Sequence, residues 1–396
     1  MRSHGDQNKG LPAWCVLAGF YFFENPAYYL NMKRRTFMHK MLLSAQTLFL
    51  MRFVHPGVLL AAIGKTENDQ LHYKPLNGRS LRDLALNKEH HGNGVFINPI
   101  GPLRKRRFLQ LLKWKLSSSR FSPYLKDQTV YPIAVNWSPV QAHQGLSVTF
   151  LKHAGILIKD VDSYLLVDPM FSGLSWFIED FSPFASDPKH IPTPDHVLIT
   201  HGHYDHLDKS TLAELDTTTH LITPLGYHRV FQDLKMKNRT QLDWYDRYRD
   251  NDRRITFLPS NHWTMRNPFR GPNRSLWGGY MIETSTGHTI YVTGDSGYFD
   301  GFLEIGQDFD IDLVVINLGA YEPRWFMASS HMNPREAVQA FKELDAEKMM
   351  IVHWGTFRLG DEPVHFPPND LKRQMEKEGL SDRLVDIRHG ETFFLN

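Results

Sequence analysis

Cysteine is almost missing from this chain of 396 residues, in which Cys15 is the one thiol. A single cysteine excludes an internal disulfide and any thiolate-rich metal site, so bound zinc would be held by histidine and aspartate. A surplus of one charge is missing too. The formal net charge is +2, and nothing in the overall balance demands nucleic acid as a partner. Long apolar runs are also absent: Trp14–Phe23 is stopped by Glu24-Asn25-Pro26, and Met41–Met51 is interrupted by Arg52 and His55. Neither approaches the roughly 18–20 residues that span a bilayer. No internal repeat or low-complexity tract is evident. The chain is long enough for one large core plus an extension.

The first 66 residues differ from the rest and read as an apolar targeting or membrane-associating segment. Lys33-Arg34-Arg35-Thr36-Phe37-Met38, just ahead of the second apolar run, looks like a twin-arginine export signal, with Met32 as a natural start. Export to the periplasm stands there against a membrane-surface anchor at the cytoplasmic face or a plain packed helix. Residues 67–146 read as an N-terminal extension carrying a basic helix. In it, Arg104–Leu116 sets Phe, Leu and Trp at helical spacing among arginines and lysines, which suits an anionic lipid surface or a solvated helix face equally. Residues 147–396 read as one further domain, the main one.

Histidine is plentiful, with 21 residues, and Thr200-His201-Gly202-His203-Tyr204-Asp205-His206 concentrates three of them with an aspartate. This run follows the strand-like His196-Val197-Leu198-Ile199. A strand ending in a tight turn delivers its side chains to one point at the sheet edge, and imidazole with carboxylate there suits zinc, or iron or manganese. His201 and His203, at i and i+2, project the same way and can share one ion, while Asp205 and His206 can face a second. Two ions need further ligands. His262, Asp295 and His353 are the candidates, each following an apolar run, and polar groups repeated at strand ends are how sheet-based folds build a site at one edge.

The order of these motifs resembles the metallo-β-lactamase superfamily. Within it, the chain is most similar to the phospholipases D that hydrolyse N-acyl-phosphatidylethanolamine. The residues carrying that likeness are Asp168–Ser172, the HGHYDHLD run, Leu276-Trp277-Gly278, Gly294–Tyr298, the GAYEPRWFM block Gly319–Met327 and the HWGTF run His353–Phe357. The likeness runs from about Ser147 to the C-terminus and more weakly up to about Phe96. It implies an α+β fold, the αββα sandwich. It also implies one zinc on His201, His203 and His262, a second on Asp205, His206 and His353, and Asp295 bridging the pair. The implied reaction is phosphodiester hydrolysis by a metal-bridging hydroxide, with Asp205 and His331 as catalytic groups. Tyr204, Arg266 and His331 fall at substrate-binding positions, and Asp168 behind a ligating imidazole. Family members can carry a lysine after the lone metal histidine, where this chain has Thr264-Met265-Arg266; Arg266 is the cation left to compensate. His153 has no ligand partner nearby and reads as structural.

The alternation of short strands with helices agrees with that architecture. Strands are expected at Ser147–Leu151, Gly155–Ile158 and Tyr164–Val167, and near Thr256, Tyr280, Thr289, Leu313 and Met350; helices are expected at Asp208–Leu215 and Pro334–Leu344. The short interval from Asp295 to His353 leaves no room for the inserted nuclease domain of some RNA-cleaving relatives. A phospholipid substrate and a peripheral membrane surface are the implied partners, with no nucleic acid. Trp176, Phe177, Phe181, Phe184, Trp325 and Phe326 suit an acyl-chain groove or ordinary core. Two other readings stay open: a metal-dependent hydrolase of a small phosphorylated lactone or cyclic phosphodiester, and a non-catalytic metal- or lipid-binding protein. The oligomeric state is left open, a homodimer included.

Overall fold

The structure, a computed structural model, describes residues 78–100, 113–114, 117–125, 128–175, 178–185 and 187–395. Cys15, both N-terminal apolar runs, Arg34, Arg35, Trp176, Phe177 and all of Arg104–Leu116 except Lys113 and Trp114 lie outside the described residues. The chain divides into two units, Met1–Gln70 with Arg107–Ser118, and Leu71–Arg106 with Ser119–Asn396. The second unit holds both sheets and every ligand candidate. Among the described residues, no helix is long and apolar enough to cross a membrane.

That unit opens with α1 (Leu81–Leu86), capped by the Ser80 side chain, and α2 (Trp137–Ala142), capped by Asn136. A meander of β1 (Leu146–Phe150), β2 (Ile156–Asp160) and β3 (Ser163–Val167) comes next, close to the expected spans. The chain then alternates through β4 (His196–Leu198), α3 (Lys209–Glu214), β5 (His220–Pro224) and β6 (Arg239–Leu242). Beyond these lie β7 (Arg247–Asp250), β8 (Arg253–Leu258), β9 (Gly279–Glu283) and β10 (Thr289–Val292). The last part holds α4 (Gly301–Asp308), β11 (Leu313–Asn317), α5 (Arg324–Met327), α6 (Pro334–Leu344), β12 (Lys348–Val352), α7 (Phe366–Lys377), β13 (Leu384–Val385) and β14 (Thr392–Leu395).

The strands form two seven-stranded sheets, ordered β14-β1-β2-β3-β4-β5-β6 and β13-β12-β11-β10-β9-β8-β7. Both are mixed: β3 to β6 and β10 to β13 run parallel, and the remaining neighbours run antiparallel. The period of two sorts the side chains onto opposite faces. Ile156, Ile158, Leu198, Leu313, Val315, Met350 and Val352 enter the core between the sheets. Val314, Ile316, Met349 and Ile351 instead meet Phe302, Val338, Phe341 and Leu371 on the outer helices of the second sheet. Leu157, Val197 and Ile199 meet Leu212, Tyr227 and Phe231 outside the first. Helices outside two facing sheets make the αββα sandwich. With both faces covered, the parallel strands read as continuous apolar runs rather than alternating ones.

The boundary expected at residue 146 does not divide the packing: Leu84 and Ala85 of α1 belong to the core that holds Val148 and Ile282. The extension therefore contributes to the hydrolase core. α6 starts where proline sits at its first turn and Asn333 and Glu336 complete a capping box. Its Phe341 is fully buried. Phe341→Ala is expected to lower unfolding free energy by about 3–5 kcal/mol, read as a shift in denaturant midpoint. A change below about 1 kcal/mol would contradict the packing described.

Candidate metal centre

Each ligand candidate stands just beyond a strand: Asp168 after β3, His201 to His206 after β4, His262 after β8, Asp295 after β10 and His353 after β12. These strand ends meet at one edge of the sandwich. Ligand atoms of His201, His203, His262 and Asp295 form one group, and those of Asp205, His206, His353 and His153 another, all within 4.8 Å inside each group. The turn after β4 is tight for a steric reason. A Cβ on Gly202 would lie 2.9 Å from the Tyr227 ring and 3.0 Å from Thr264 Oγ1, so glycine separates the two histidines.

In the first group, His203 Nδ1 lies 2.9 Å from His201 Nε2 and 3.2 Å from His262 Nε2. Asp295 Oδ2 is 3.7 Å from the Nε2 atoms of both His201 and His262. In the second, Asp205 Oδ2 is 3.6 Å from His206 Nε2 and 3.4 Å from His353 Nε2. Asp295, a member of the first, also reaches the second, its Oδ2 3.3 Å from His206 Nε2 and its Oδ1 3.4 Å from His353 Nε2. Ligands sharing a tetrahedral ion stand about 3.3 Å apart. Among the described residues, Nε2 of His206 and of His353 is buried without a hydrogen-bond partner. Buried, partnerless acceptors at ligand spacing fit divalent ions.

Protonation agrees with that use. Burial lowers His201 and His262 well below the ordinary imidazole value, and lowers His203 to about 4. Burial alone would raise Asp205 and Asp295, but the surrounding histidines outweigh it and hold both carboxylates well below their usual range. His201, His203 and His262 are thus neutral imidazoles and Asp205 and Asp295 ionised, the forms metals bind, whereas His206, which burial alone would lower, is raised well above the ordinary value by Asp295 and Asp205.

A ring of acceptors behind the ligands turns them. Asp168 Oδ2 lies 2.8 Å from His206 Nδ1, while Asp168 also accepts from Thr200 N at 2.7 Å and Thr200 Oγ1 at 2.5 Å. Thr200 Oγ1 in turn sits 3.0 Å from His201 Nδ1, and the Ser330 carbonyl 3.1 Å from His262 Nδ1. With the proton on Nδ1, each Nε2 is free for an ion. Asn317 Nδ2 donates to Asp295 Oδ1 at 2.9 Å, and Asn98 of the extension donates to the His262 carbonyl at 3.0 Å. Neither asparagine carried a sequence signal, because each acts on a residue far from it along the chain.

His331 comes to the same edge, its Nδ1 3.9 Å from Asp295 Oδ2 and its ring 5.4 Å from that of His262. The GAYEPRWFM block holds it there. Arg324 donates to the carbonyls of His331 and Tyr321, both at 3.0 Å, and grips Glu336 through two hydrogen bonds. Gly319 is required for a different reason: a Cβ there would stand 2.0 Å from the His353 carbonyl oxygen. Tyr204 and Arg266 lock together beside the turn, the guanidinium 4.2 Å from the Tyr204 ring centroid and the phenol donating to the Arg266 carbonyl at 2.6 Å. Of the aromatics suited to an acyl groove, Phe181 is buried, while Phe184, Trp325 and Phe326 are half-buried.

One expectation is corrected. His153 is not remote from the ligands: its Nε2 lies 3.0 Å from Asp205 Oδ2 and its ring centroid 4.1 Å from that of His353, the planes tilted by 43°. The reversal between β1 and β2 carries it to the ligand edge, a consequence of sheet order that local sequence does not encode. A third convergence, His90, His91 and Asp243, is of another kind. There Asp243 Oδ1 accepts from Trp244 N and contacts His90, while Oδ2 accepts from Lys88 and contacts His91. With every carboxylate lone pair used and an ammonium in place, this cluster is a hydrogen-bonded staple tying the extension to the loop after β6.

Residues 163–354 match the beta-lactamase superfamily domain. The chain is 31% identical over 296 residues to N-acyl-phosphatidylethanolamine-hydrolyzing phospholipase D 1 of Caenorhabditis elegans, which spans 67% of this chain and 80% of that protein. The chain belongs to the metallo-β-lactamase superfamily. It is 29% identical over 241 residues to the mitochondrial N-acyl-phosphatidylethanolamine-hydrolyzing phospholipase D of Saccharomyces cerevisiae, covering 58% of this chain and 51% of that one. A possible metal-dependent hydrolase from Veillonella parvula superposes with a TM-score of 0.54 at 14% identity, over 64% of this chain and 100% of the other. At that identity the superposition speaks to the superfamily fold alone. Membership and the two ligand groups together make the chain a metal-dependent hydrolase of the superfamily.

Proposed function

We propose that the chain is a dinuclear zinc phosphodiesterase of the phospholipase D type, converting N-acyl-phosphatidylethanolamine to N-acylethanolamine and phosphatidic acid. The observation that carries this reading is His331, held through its carbonyl by Arg324 of the GAYEPRWFM block that resembles the phospholipases, with its Nδ1 3.9 Å from Asp295 Oδ2. The names of the two similar phospholipases supply the substrate class. Zinc suits a histidine and aspartate set with no cysteine, iron or manganese being the alternatives. When bound, such ions neutralise phosphoryl charge and supply a nucleophile at neutral pH.

The chain's own groups divide the remaining work. Asp205 and Asp295 stay ionised and hold the ions, and Asp168 and Ser330 O orient two of the imidazoles. Burial lowers His331 to about 4, so at neutral pH it is a neutral imidazole with one N–H to offer a phosphoryl or departing oxygen. The bond that breaks joins phosphorus to the ethanolamine oxygen, which leaves as the alcohol after taking a proton. Tyr204 and Arg266 lie beside the ligand turn and suit the polar head group. A bilayer substrate places the enzyme at a membrane surface.

The test is hydrolysis by the purified full chain, loaded with zinc, of N-acyl-phosphatidylethanolamine in vesicles, scored for N-acylethanolamine. A sugar-phosphate lactone and a cyclic phosphodiester serve as competing substrates. Turnover of the phospholipid at a kcat/KM at least tenfold above either is expected. Turnover of the lactone or cyclic ester alone would overturn the substrate assignment, and no turnover of any would favour a binding protein.

A further inference from the structure

We propose that His153 is a positioning residue for the half-site of Asp205, His206 and His353. Its imidazole N–H turns the Asp205 carboxylate, and its main-chain carbonyl holds His353. The proposal rests on the two-ion reading and not on the substrate.

Two contacts on different atoms of His153 reach Asp205 and His353, and a third anchors His153 itself. The His153 Nε2 contact with Asp205 Oδ2, at 3.0 Å, has hydrogen-bond length. The His353 N–H donates to the His153 carbonyl at 2.7 Å. The His153 N–H in turn donates to Thr356 Oγ1 at 3.0 Å, and Thr356 is tied to Ser182 Oγ at 2.6 Å. Thus β12 and the β1–β2 reversal are clasped at the point where His353 and His153 both face Asp205.

The tautomer is set by the surroundings of the ring. His201, His206 and His262 each find an oxygen for Nδ1–H, which leaves Nε2 bare. His153 Nδ1 is buried and has no partner among the described residues. A proton there would be an orphaned donor, so the proton belongs on Nε2, facing Asp205. A carboxylate oxygen that accepts this N–H is held in one rotamer, which is how groups behind the ligands set metal affinity.

The backbone shows the same constraint. His153 and His353 both adopt the left-handed region, at φ 56° and 69°. Non-glycine residues reach it only where surrounding contacts hold them there, commonly at functional sites. Histidine, like asparagine, is tolerated in that conformation, so what marks His153 is its burial and its contact with a ligand. Histidine there, buried and aimed at a ligand, has a use beyond the turn.

Two variants separate that use from the turn. His153→Asn tolerates the left-handed conformation but is too short to reach Asp205; His153→Gln restores an N–H donor at longer reach. Metal affinities of the full chain are read by competition with a chromophoric chelator, and cobalt substitution reports each half-site by its visible spectrum. His153→Asn is expected to weaken one of two ions by about 10–100-fold and leave the other unchanged, with His153→Gln close to wild type. Three results would overturn the proposal: both affinities unchanged in His153→Asn, both weakened equally, or Gln no better than Asn. A wild-type chain that binds only one ion would instead overturn the two-ion reading, and this is seen before any variant is made. Should the variants not fold, histidine nitrogen chemical shifts of the metal-loaded wild type decide, since a metal-ligating His153 Nε2 is incompatible with the N–H assigned here.

Discussion

Asp295→Asn is expected to empty the centre and abolish hydrolysis together. The carboxylate is buried, faces His201, His206, His262 and His353, and reaches both ligand groups. An amide of the same shape keeps one neutral oxygen and presents N–H groups where cations belong. Removing one partner from a buried charged cluster costs about 3–5 kcal/mol, roughly a hundred- to several-thousand-fold in affinity. Metal content by elemental analysis should fall below one ion per chain, with kcat falling at least as far. Full activity with two ions retained in the variant would remove Asp295 from its shared position. Asn317, which donates to Asp295 Oδ1, gives a milder comparison because it orients the carboxylate without carrying charge.

Removing the metal is expected to have the next largest effect, and on stability as well as activity. An ion present at a thousand times its dissociation constant stabilises the folded state by about 4 kcal/mol, so two contribute about 8 kcal/mol. Chelation should therefore lower Tm by roughly 15 °C, since a domain of this size shifts about 2 °C per kcal/mol. It should also silence hydrolysis until metal is restored. The physical reason is local: without ions, Nε2 of His206 and His353 stays buried and unpartnered while Asp205 and Asp295 lie side by side with the imidazoles. Scanning calorimetry with and without chelator reads the difference. An unchanged Tm with complete metal loss would mean that the ligand cluster is stable without an ion.

The parts of this architecture legible in the sequence are those governed by short-range pattern. The meander from Leu146 to Val167 and the helix at Pro334–Leu344 announce themselves by apolar runs and by a capping box with proline at the first turn. β5, β13 and β14 are less visible, being short or placed by pairing: β14 exists because it docks on β1 from the far end of the chain. The ligand inventory was legible because each member directly follows a strand, a place where the backbone must turn and a side chain is displayed. The groups behind them were not. Asn98 and Ser330 O act through an amide and a carbonyl that no residue pattern marks.

His153 shows where local reasoning stops. Its neighbours, Leu151-Lys152 and Ala154-Gly155, describe a chain reversal and nothing more. Only after β1 to β3 line up beside β4, and β12 comes across from the other sheet, does that reversal stand against Asp205 and His353.

The sequence by itself determined the ligand types, the exclusion of thiolate ligation and the pairing of His201 with His203, since these depend on composition and on spacing within one element. The superfamily, too, is read from the sequence, by the matching domain over residues 163–354 and by 31% identity to a relative over 296 residues. Only the assembled fold brings His153 beside Asp205 and His353, and makes His90, His91 and Asp243 a staple instead of a third centre. Those outcomes depend on which strand ends meet and which lone pairs are already taken. Sequence spacing carries no such information once the partners lie in different elements.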